Sequence, residues 1–487
     1  MSPPVDAGAA ETHSAVVFFM GDRAYKIKKP VDLGFLDFRE RSTREAVCHR
    51  EVELNRRLAP DVYLGVADVH GPDGEVCDHL VVMRRMPAER RLATLVAEGA
   101  AVEDDLWHLA HLVAAFHARA DRSAAADAAA SPGALAGRWS DNTAVLASHP
   151  EVVDRATVDR VQRLSGEYLA GRHPLFAQRL AEGRACDGHG DMLADDVFCL
   201  PEGPQVLDCI EFDDELRFGD TLADVAFLAM DLERLGRPDL GARFLHDYRS
   251  HADDAWPASL EHHHIAYRAH VRSKVATIRA AQGHAPSTAE ARHLLDLAVR
   301  HLEAGRVRLV LVGGLPGTGK STLARAVGDA LGAAVLRSDE VRKELAGIPV
   351  QQHAPDDFRQ GIYSSAATAG TYGELLARSE VALTMGETVV LDASWGEERW
   401  RELARSVATR THAELFELRC TVGPDVAARR IRARAAAGAD PSDATPAIAT
   451  AMAATADPWP GAVTIDTGGR VDATVAAALA ALGVAAG

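Results

Sequence analysis

Residues 308–323, RLVLVGGLPGTGKSTL, limit what this chain can fold into more than any other stretch. Residues 308–312 are a short apolar run rich in branched side chains, which predicts a buried parallel strand. Gly314, Leu315, Pro316, Gly317, Thr318, Gly319, Lys320 and Ser321 then fit GxxxxGK[ST] at every fixed position, and Thr322 follows. Glycines so placed let backbone N–H groups turn inward as a nest for phosphate oxygens. Lys320 can reach the β- and γ-phosphates, and the Ser321 hydroxyl can complete a Mg2+ coordination set. Leu323, Val327 and Leu331 recur every four residues, the mark of an amphipathic helix. That helix aims its positive end at the phosphates.

At 487 residues the chain exceeds one ordinary core, so two or three domains are expected. A net charge of −17 argues against a broad grip on nucleic acid or an anionic membrane and leaves room only for a local basic groove. No apolar run of about 18 residues is present, so no membrane span is expected. The first residues carry no basic segment followed by an apolar one, as a signal peptide would. Cys48, Cys77, Cys186, Cys199, Cys209 and Cys420 are scattered without a CxxC pair. They read as reduced, buried thiols of a cytoplasmic protein.

Residues 14–29 predict a hairpin turning at Gly21-Asp22, with Lys26 and Lys28 on one face of its second strand. Residues 40–58 are charged with apolar positions at helical spacing, and residues 79–86 predict a further strand. From 92 to 180 the pattern is helical. Asp187-Gly-His-Gly-Asp-Met-Leu-Ala-Asp-Asp196 then precedes a strand expected over 205–214. Asp220 and Asp224 precede a helical run. Carboxylates clustered around apolar strands need a partner, because burying them unpaired is costly. A Mg2+-phosphate site would supply one. His262, His263 and His264 are adjacent and read as a solvated helix face rather than a metal site.

In the second half, residues 333–338 predict a strand with Asp339 at its end and Arg342 in the following helix. Side chains at the carboxyl ends of parallel strands line the ligand crevice. Asp339 there could accept a proton from an attacking hydroxyl, and Arg342 could hold an anionic group of the acceptor. The alternative makes Ser338 or Asp339 a helix cap. A strand over 388–391 ends in Asp392, placed to hold Mg2+. Arg430 and Arg434 lie one helical turn apart. With the segment 438–445 they suit a lid that excludes water from the transferred phosphoryl group, or else an ordinary basic helix. Residues 462–466 predict the last strand and 470–487 a closing helix.

His189-Gly190-Asp191, with a polar side chain at position 196, resembles the catalytic loop of the aminoglycoside phosphotransferase family, which has the bilobal protein-kinase fold. Tyr25-Lys-Ile-Lys-Lys-Pro30 with Cys48, Glu51 and Asn55 is similar to a bacterial subgroup often fused to a P-loop kinase domain. The resemblance implies a small lobe over about 14–90 and a large lobe over about 91–303. It implies that Lys26 or Lys28 holds nucleotide phosphates, that Glu51 pairs with that lysine, and that Asp191 is the base. It makes Asp196 and Glu211 metal ligands, with Asp208 and Asp213 as rivals of Glu211. Asp196 replaces the family's asparagine, Glu211 its aspartate, and no glycine-rich phosphate cover is evident.

Residues 304–487 resemble P-loop kinases of the zeta-toxin, gluconate-kinase and polynucleotide-kinase type. The expected architecture is therefore a kinase-like α+β domain over 1–303 and an α/β P-loop domain over 304–487, with a parallel sheet flanked by helices. The expected activity is Mg2+-ATP-dependent transfer of a phosphoryl group to a small-molecule hydroxyl acceptor. Lys320 and Asp339 would do the chemistry, and Ser321 and Asp392 would hold Mg2+. A polynucleotide 5′-kinase, a non-catalytic nucleotide sensor, and an activity confined to the first domain are the alternatives.

Overall fold

The computed structural model describes residues 7–11, 14–32, 36–349, 352, 360–437 and 445–484. The chain divides into two compact units. The N-terminal unit comprises Met1–Arg163, Phe176–Trp256 and Glu261–Leu302. The C-terminal unit comprises Glu303–Gly487 together with Leu164–Leu175 and Pro257–Leu260.

The N-terminal unit has the bilobal, protein-kinase-like fold. Its small lobe is a five-stranded antiparallel sheet in the order Ala7–Glu11, Ala15–Met20, Arg23–Lys28, Val76–Arg84, Tyr63–His70. The hairpin register pairs Val17 with Lys26 and Ala15 with Lys28. Strand pleating therefore sends both lysines to one face. On the sheet lies the helix Arg41–Asn55, which buries Cys48 and Val52 against Ala24, Val81 and Met83. Because residues four apart share a helix face, Glu51 and Asn55 point together, and both are buried.

The large lobe is helical. Its helix Thr221–Arg234 is buried from Thr221 through Leu232, Asp224 and Asp231 included. Two short antiparallel ribbons, Ala185–Asp187 with Phe218–Asp220 and Val197–Leu200 with Gly203–Val206, frame the aspartate-rich loops.

Three expectations are corrected. The strand expected over 205–214 stops at Val206, because Asp208 adopts φ 63°, which no strand tolerates. The histidine run is not a solvated face: on the helix Ala258–Ala281, His263 and His264 are buried, and so is His270, which stacks on Trp139 at 4.7 Å. A large aromatic neighbourhood makes the imidazoles core residues despite their polarity. Cys77 is exposed, whereas the other five cysteines are buried thiols.

The C-terminal unit is an α/β P-loop fold. Five parallel strands lie in the order Ala334–Arg337, Val389–Asp392, Arg308–Gly313, Glu414–Thr421, Val463–Asp466. The central strand is buried from Leu309 to Gly313. The helix Lys320–Leu331 packs Leu323, Ala324 and Val327 on Val310, Val312, Val390 and Leu418. All five strands run the same way, so Gly313, Arg337 and Asp392 end at one edge of the sheet, where ligands bind in such folds. Among the described residues no helix is long and apolar enough to cross a membrane.

Candidate functional site

The phosphate loop follows directly from its sequence. Gly314 and Gly317 have φ 145° and 80°, and a Cβ on them would stand 2.7 Å from the Cys420 carbonyl oxygen and 2.6 Å from that of Ala427. Only glycine fits both the backbone conformation and the space. The Thr318 hydroxyl donates to the Leu315 carbonyl at 2.8 Å, tightening the turn. Gly319 caps the helix Lys320–Leu331 without a side chain. The first-turn amides of that helix are thus left for an anionic ligand.

A cavity of about 420 Å3 opens beside the loop. Gly314, Pro316 and Lys320 line one side, and Ser338, Asp339 and Arg342 another. Asp339 sits in the first turn of the helix Ser338–Leu345, whose N-cap is Arg337 with no side-chain capping bond. The capping alternative for Ser338 and Asp339 therefore falls, and both side chains border the cavity instead. Asp392 is buried at its strand end; its Oδ2 accepts from Arg337 Nε at 3.2 Å, while its Oδ1 is buried without a hydrogen-bond partner. An orphaned carboxylate oxygen beside a phosphate loop suits a hard cation, so the donor set of Ser321 and Asp392 fits Mg2+. Lys320 and Asp392 both act on the buried Cys420, whose thiol burial pushes up to about 12.

Arg430 and Arg434 are half-buried on the helix Pro424–Ala437. Arg430 Nη2 donates to the Thr467 carbonyl at 2.8 Å, and the Thr467 hydroxyl donates to the Thr318 carbonyl at 2.5 Å. Arg430 is thereby tied to the phosphate loop. Arg434 keeps a buried Nη2 without a hydrogen-bond partner. Residues 438–444 lie outside the described residues.

Several cavity residues carried no signal in the sequence. Tyr372 and Trp400 stack at 4.8 Å and 3°, and Ile448 and Met452 come from the helix Pro446–Thr455. They belong to helices remote in sequence from the motifs, and their spacing alone marks them only as packing residues.

The N-terminal unit gathers a second set of charges. Lys26 Nζ lies 2.8 Å from Glu51 Oε1 and 2.6 Å from Asp208 Oδ1. Lys28 Nζ lies 2.6 Å from Glu51 Oε2 and also pairs with Glu211. One buried glutamate thus holds both lysines. The Lys28 side chain is 1% exposed, whereas Lys26 keeps 12% and its partner Asp208 53%, so the Lys26 end is the one open to a ligand. Burial works against the Lys26 ammonium, but Asp208 and Glu51 outweigh it and hold its pKa well above the usual lysine value. Lys26 in turn holds the Asp208 carboxyl down, at about 2.

Backbone contacts fix the aspartate loops. Asp208 N donates to the Tyr63 hydroxyl at 3.1 Å and Cys209 N to Asn55 Oδ1 at 2.9 Å. The His189 and Gly190 amides donate to the Asp224 carboxylate at 2.7 and 2.8 Å, and His117 Nε2 meets it at 3.0 Å. Asp224 positions the loop that presents Asp191. Arg272 lies 3.7 Å from Asp191. Burial raises the Asp191 carboxyl. Asp196 is raised well above the ordinary range, by burial first and then by the like charges of Asp208 and Asp191. Asp208 acts on both of these carboxylates, whereas the charges acting on Glu211 are those of Lys28, Glu51, Lys26 and Asp208. Asp208 and Glu211 each pair with one lysine of the hairpin, Lys26 and Lys28 respectively. No three His, Cys, Asp or Glu side chains among the described residues converge as a closed metal site. A Mg2+ shared with nucleotide phosphates needs only one or two carboxylates.

Comparison with known proteins adds a family. A family model described as an AAA domain matches residues 309–459, which span the phosphate loop, Asp339 and Asp392. Uncharacterized proteins of Mycobacterium tuberculosis and Mycobacterium bovis are 46% identical to this chain over 463 residues, covering 95% of it and 91% of their own length. The chain belongs to the family of these mycobacterial proteins. Members share both units, since the match runs through nearly the whole sequence. Among solved structures, a gluconokinase from Sinorhizobium meliloti is 22% identical, over 36% of this chain and 91% of its own, with a TM-score of 0.26. A choline/ethanolamine kinase family protein from Mesorhizobium loti is 14% identical over 62% and 93%, with a TM-score of 0.35. The matched segment of the C-terminal unit carries the phosphate loop of a nucleotide-binding domain.

Proposed function

We propose that the C-terminal unit transfers the γ-phosphoryl group of ATP to a hydroxyl of a small molecule bound in the cavity. The observation that carries this reading is that Lys320 and Asp339 border one cavity beside a phosphate loop. The loop and the first turn of its helix bind the β- and γ-phosphates, and Lys320 neutralises their charge. Asp339 takes the proton of the acceptor hydroxyl as its oxygen attacks the γ-phosphorus; the bond to the β–γ bridging oxygen breaks and ADP leaves. Ser321 and Asp392 would hold Mg2+, which would supply further neutralisation of the phosphate charge. Arg430 and Arg434 form the base of a lid. Catalysis here is positioning and charge stabilisation rather than covalent chemistry.

A second reading assigns a phosphoryl transfer to the N-terminal unit as well, with Lys26 on the nucleotide, Asp191 as base, and Asp196 and Asp208 holding Mg2+. The contacts of Lys26 with Glu51 and Asp208 favour it.

ATP consumption by the full-length chain across a panel of hydroxyl compounds tests both. Loss of turnover in Lys320→Ala with retention in Asp191→Ala is the expected result. Full turnover in Lys320→Ala, lost in Asp191→Ala, moves the activity to the N-terminal unit. Labelling of a 5′-hydroxyl oligonucleotide would make the acceptor a polynucleotide. Tight ATP binding with no turnover on any acceptor would leave a nucleotide sensor.

A further inference from the structure

We infer that the acceptor of the C-terminal unit is a hydroxylated acid: a small molecule with one anionic group and an apolar, preferably aromatic, portion. This rests on the kinase reading above and concerns the far side of the same cavity.

Arg342 is the anchor for the anion. It is 8% exposed and lines the cavity. Its Nη1 donates to the Ile362 carbonyl at 3.0 Å and to the Thr368 hydroxyl at 3.3 Å, and its guanidinium lies 4.8 Å from the Tyr363 ring. Its Nε is buried without a hydrogen-bond partner, and among the described residues no carboxylate pairs with it. A buried guanidinium with an unmet donor is costly, and a carboxylate or phosphate is the partner whose geometry matches it.

The other charges of the cavity are spoken for. Arg399 pairs with Glu397 at 2.8 Å and stacks on Trp400 at 4.3 Å. Lys320 belongs to the nucleotide, and Asp339 to the acceptor hydroxyl. Among the described lining residues one cation is left over, so the site selects one anionic group. A polynucleotide end, with a phosphate at every step, would need more.

Part of the remaining wall is apolar, beside the hydroxyls of Ser365, Thr368, Ser394 and Thr455. The stacked rings of Tyr372 and Trp400 and the side chains of Ile448 and Met452 line it. A polyol laid there would leave hydroxyls facing carbon and lose hydrogen bonds it makes in water. At about 420 Å3 the cavity is at the small end of ligand pockets, which admits one ring or a short branched chain.

The test is calorimetric binding to the full-length chain with Mg2+ and a non-hydrolysable ATP analogue present. Three probes are compared: 3-phenyllactate, its neutral amide 3-phenyllactamide, and gluconate. Phenyllactate is expected to bind at least tenfold tighter than either of the others. Arg342→Gln should bring phenyllactate down to the level of the amide and leave the amide unchanged, and Arg342→Lys should retain part of the preference. No binding of phenyllactate, an amide that binds equally well, or gluconate that binds better overturns the inference. The wild-type ratios decide it even where a variant fails to fold. Because binding is read without phosphoryl transfer, a chain that binds the acid but never consumes ATP sinks the kinase reading and leaves this one standing.

Discussion

At the scale of single residues, Glu51 has the most to hold. Its two oxygens contact Lys26 and Lys28 separately, and it is fully buried. Removing one member of a buried ion pair strands the other charge, at a cost of about 3–5 kcal/mol. Glu51→Ala should therefore destabilise the N-terminal unit by about that amount, read from urea unfolding; a loss under about 1 kcal/mol would mean the lysines find water instead. Asp339 makes the opposite kind of prediction. It caps nothing and lies at the cavity edge, so Asp339→Asn should leave the fold and ATP affinity unchanged. Its turnover should fall roughly 10²- to 10⁴-fold, the usual contribution of a positioned base. Unaltered kcat would remove it from the chemistry.

At the scale of elements, the phosphate loop is built on backbone rather than side chains. A methyl group at Gly317 would meet the Ala427 carbonyl at 2.6 Å and sit at φ 80°. Such strain costs of order 1–3 kcal/mol. Gly317→Ala should thus lower the melting temperature and abolish ATP binding by calorimetry together; ATP binding that survives would mean the loop is not the nucleotide site. The hairpin shows how far pattern carries at this scale. Alternation in residues 15–28 is enough to put Lys26 and Lys28 on one face, because strand pleating has a period of two. The segment after Val206 shows where it stops. Its apolar residues read as a strand, yet Asp208 is left-handed and held there by Tyr63 and Asn55, which come from elsewhere in the chain.

At the scale of the whole molecule, the buried histidines predict how the chain meets acid. Burial lowers the pKa of His264 to about 4 and of His270 to about 3, against about 6.5 unfolded. The unfolded chain thus binds more protons between about pH 6.5 and pH 4, and stability falls as pH falls through that window. Each fully shifted histidine contributes up to about 1.4 kcal/mol per pH unit. Urea midpoints measured from pH 7 to pH 4.5 should drop steadily, and His270→Gln should flatten the slope; a pH-independent midpoint would contradict the buried, neutral assignment.

The sequence by itself determined the two folds and the phosphate loop, because these rest on local rules: pleat and helix periods, glycine's left-handed freedom, and the reach of one lysine. It also offered Asp339 and Asp392 as candidates from their strand ends, Arg342 from the helix that follows, and Asp191 from the family resemblance. Tertiary structure alone decided that Asp208 pairs with Lys26 and Glu211 with Lys28, that the histidine run is core, and that Tyr372, Trp400, Ile448 and Met452 face the same cavity as Lys320. Those outcomes depend on which charge ends beside which, and on which helix closes over a crevice. Such pairings span up to roughly 180 positions, as between Lys26 and Asp208, and no periodicity in the chain encodes them.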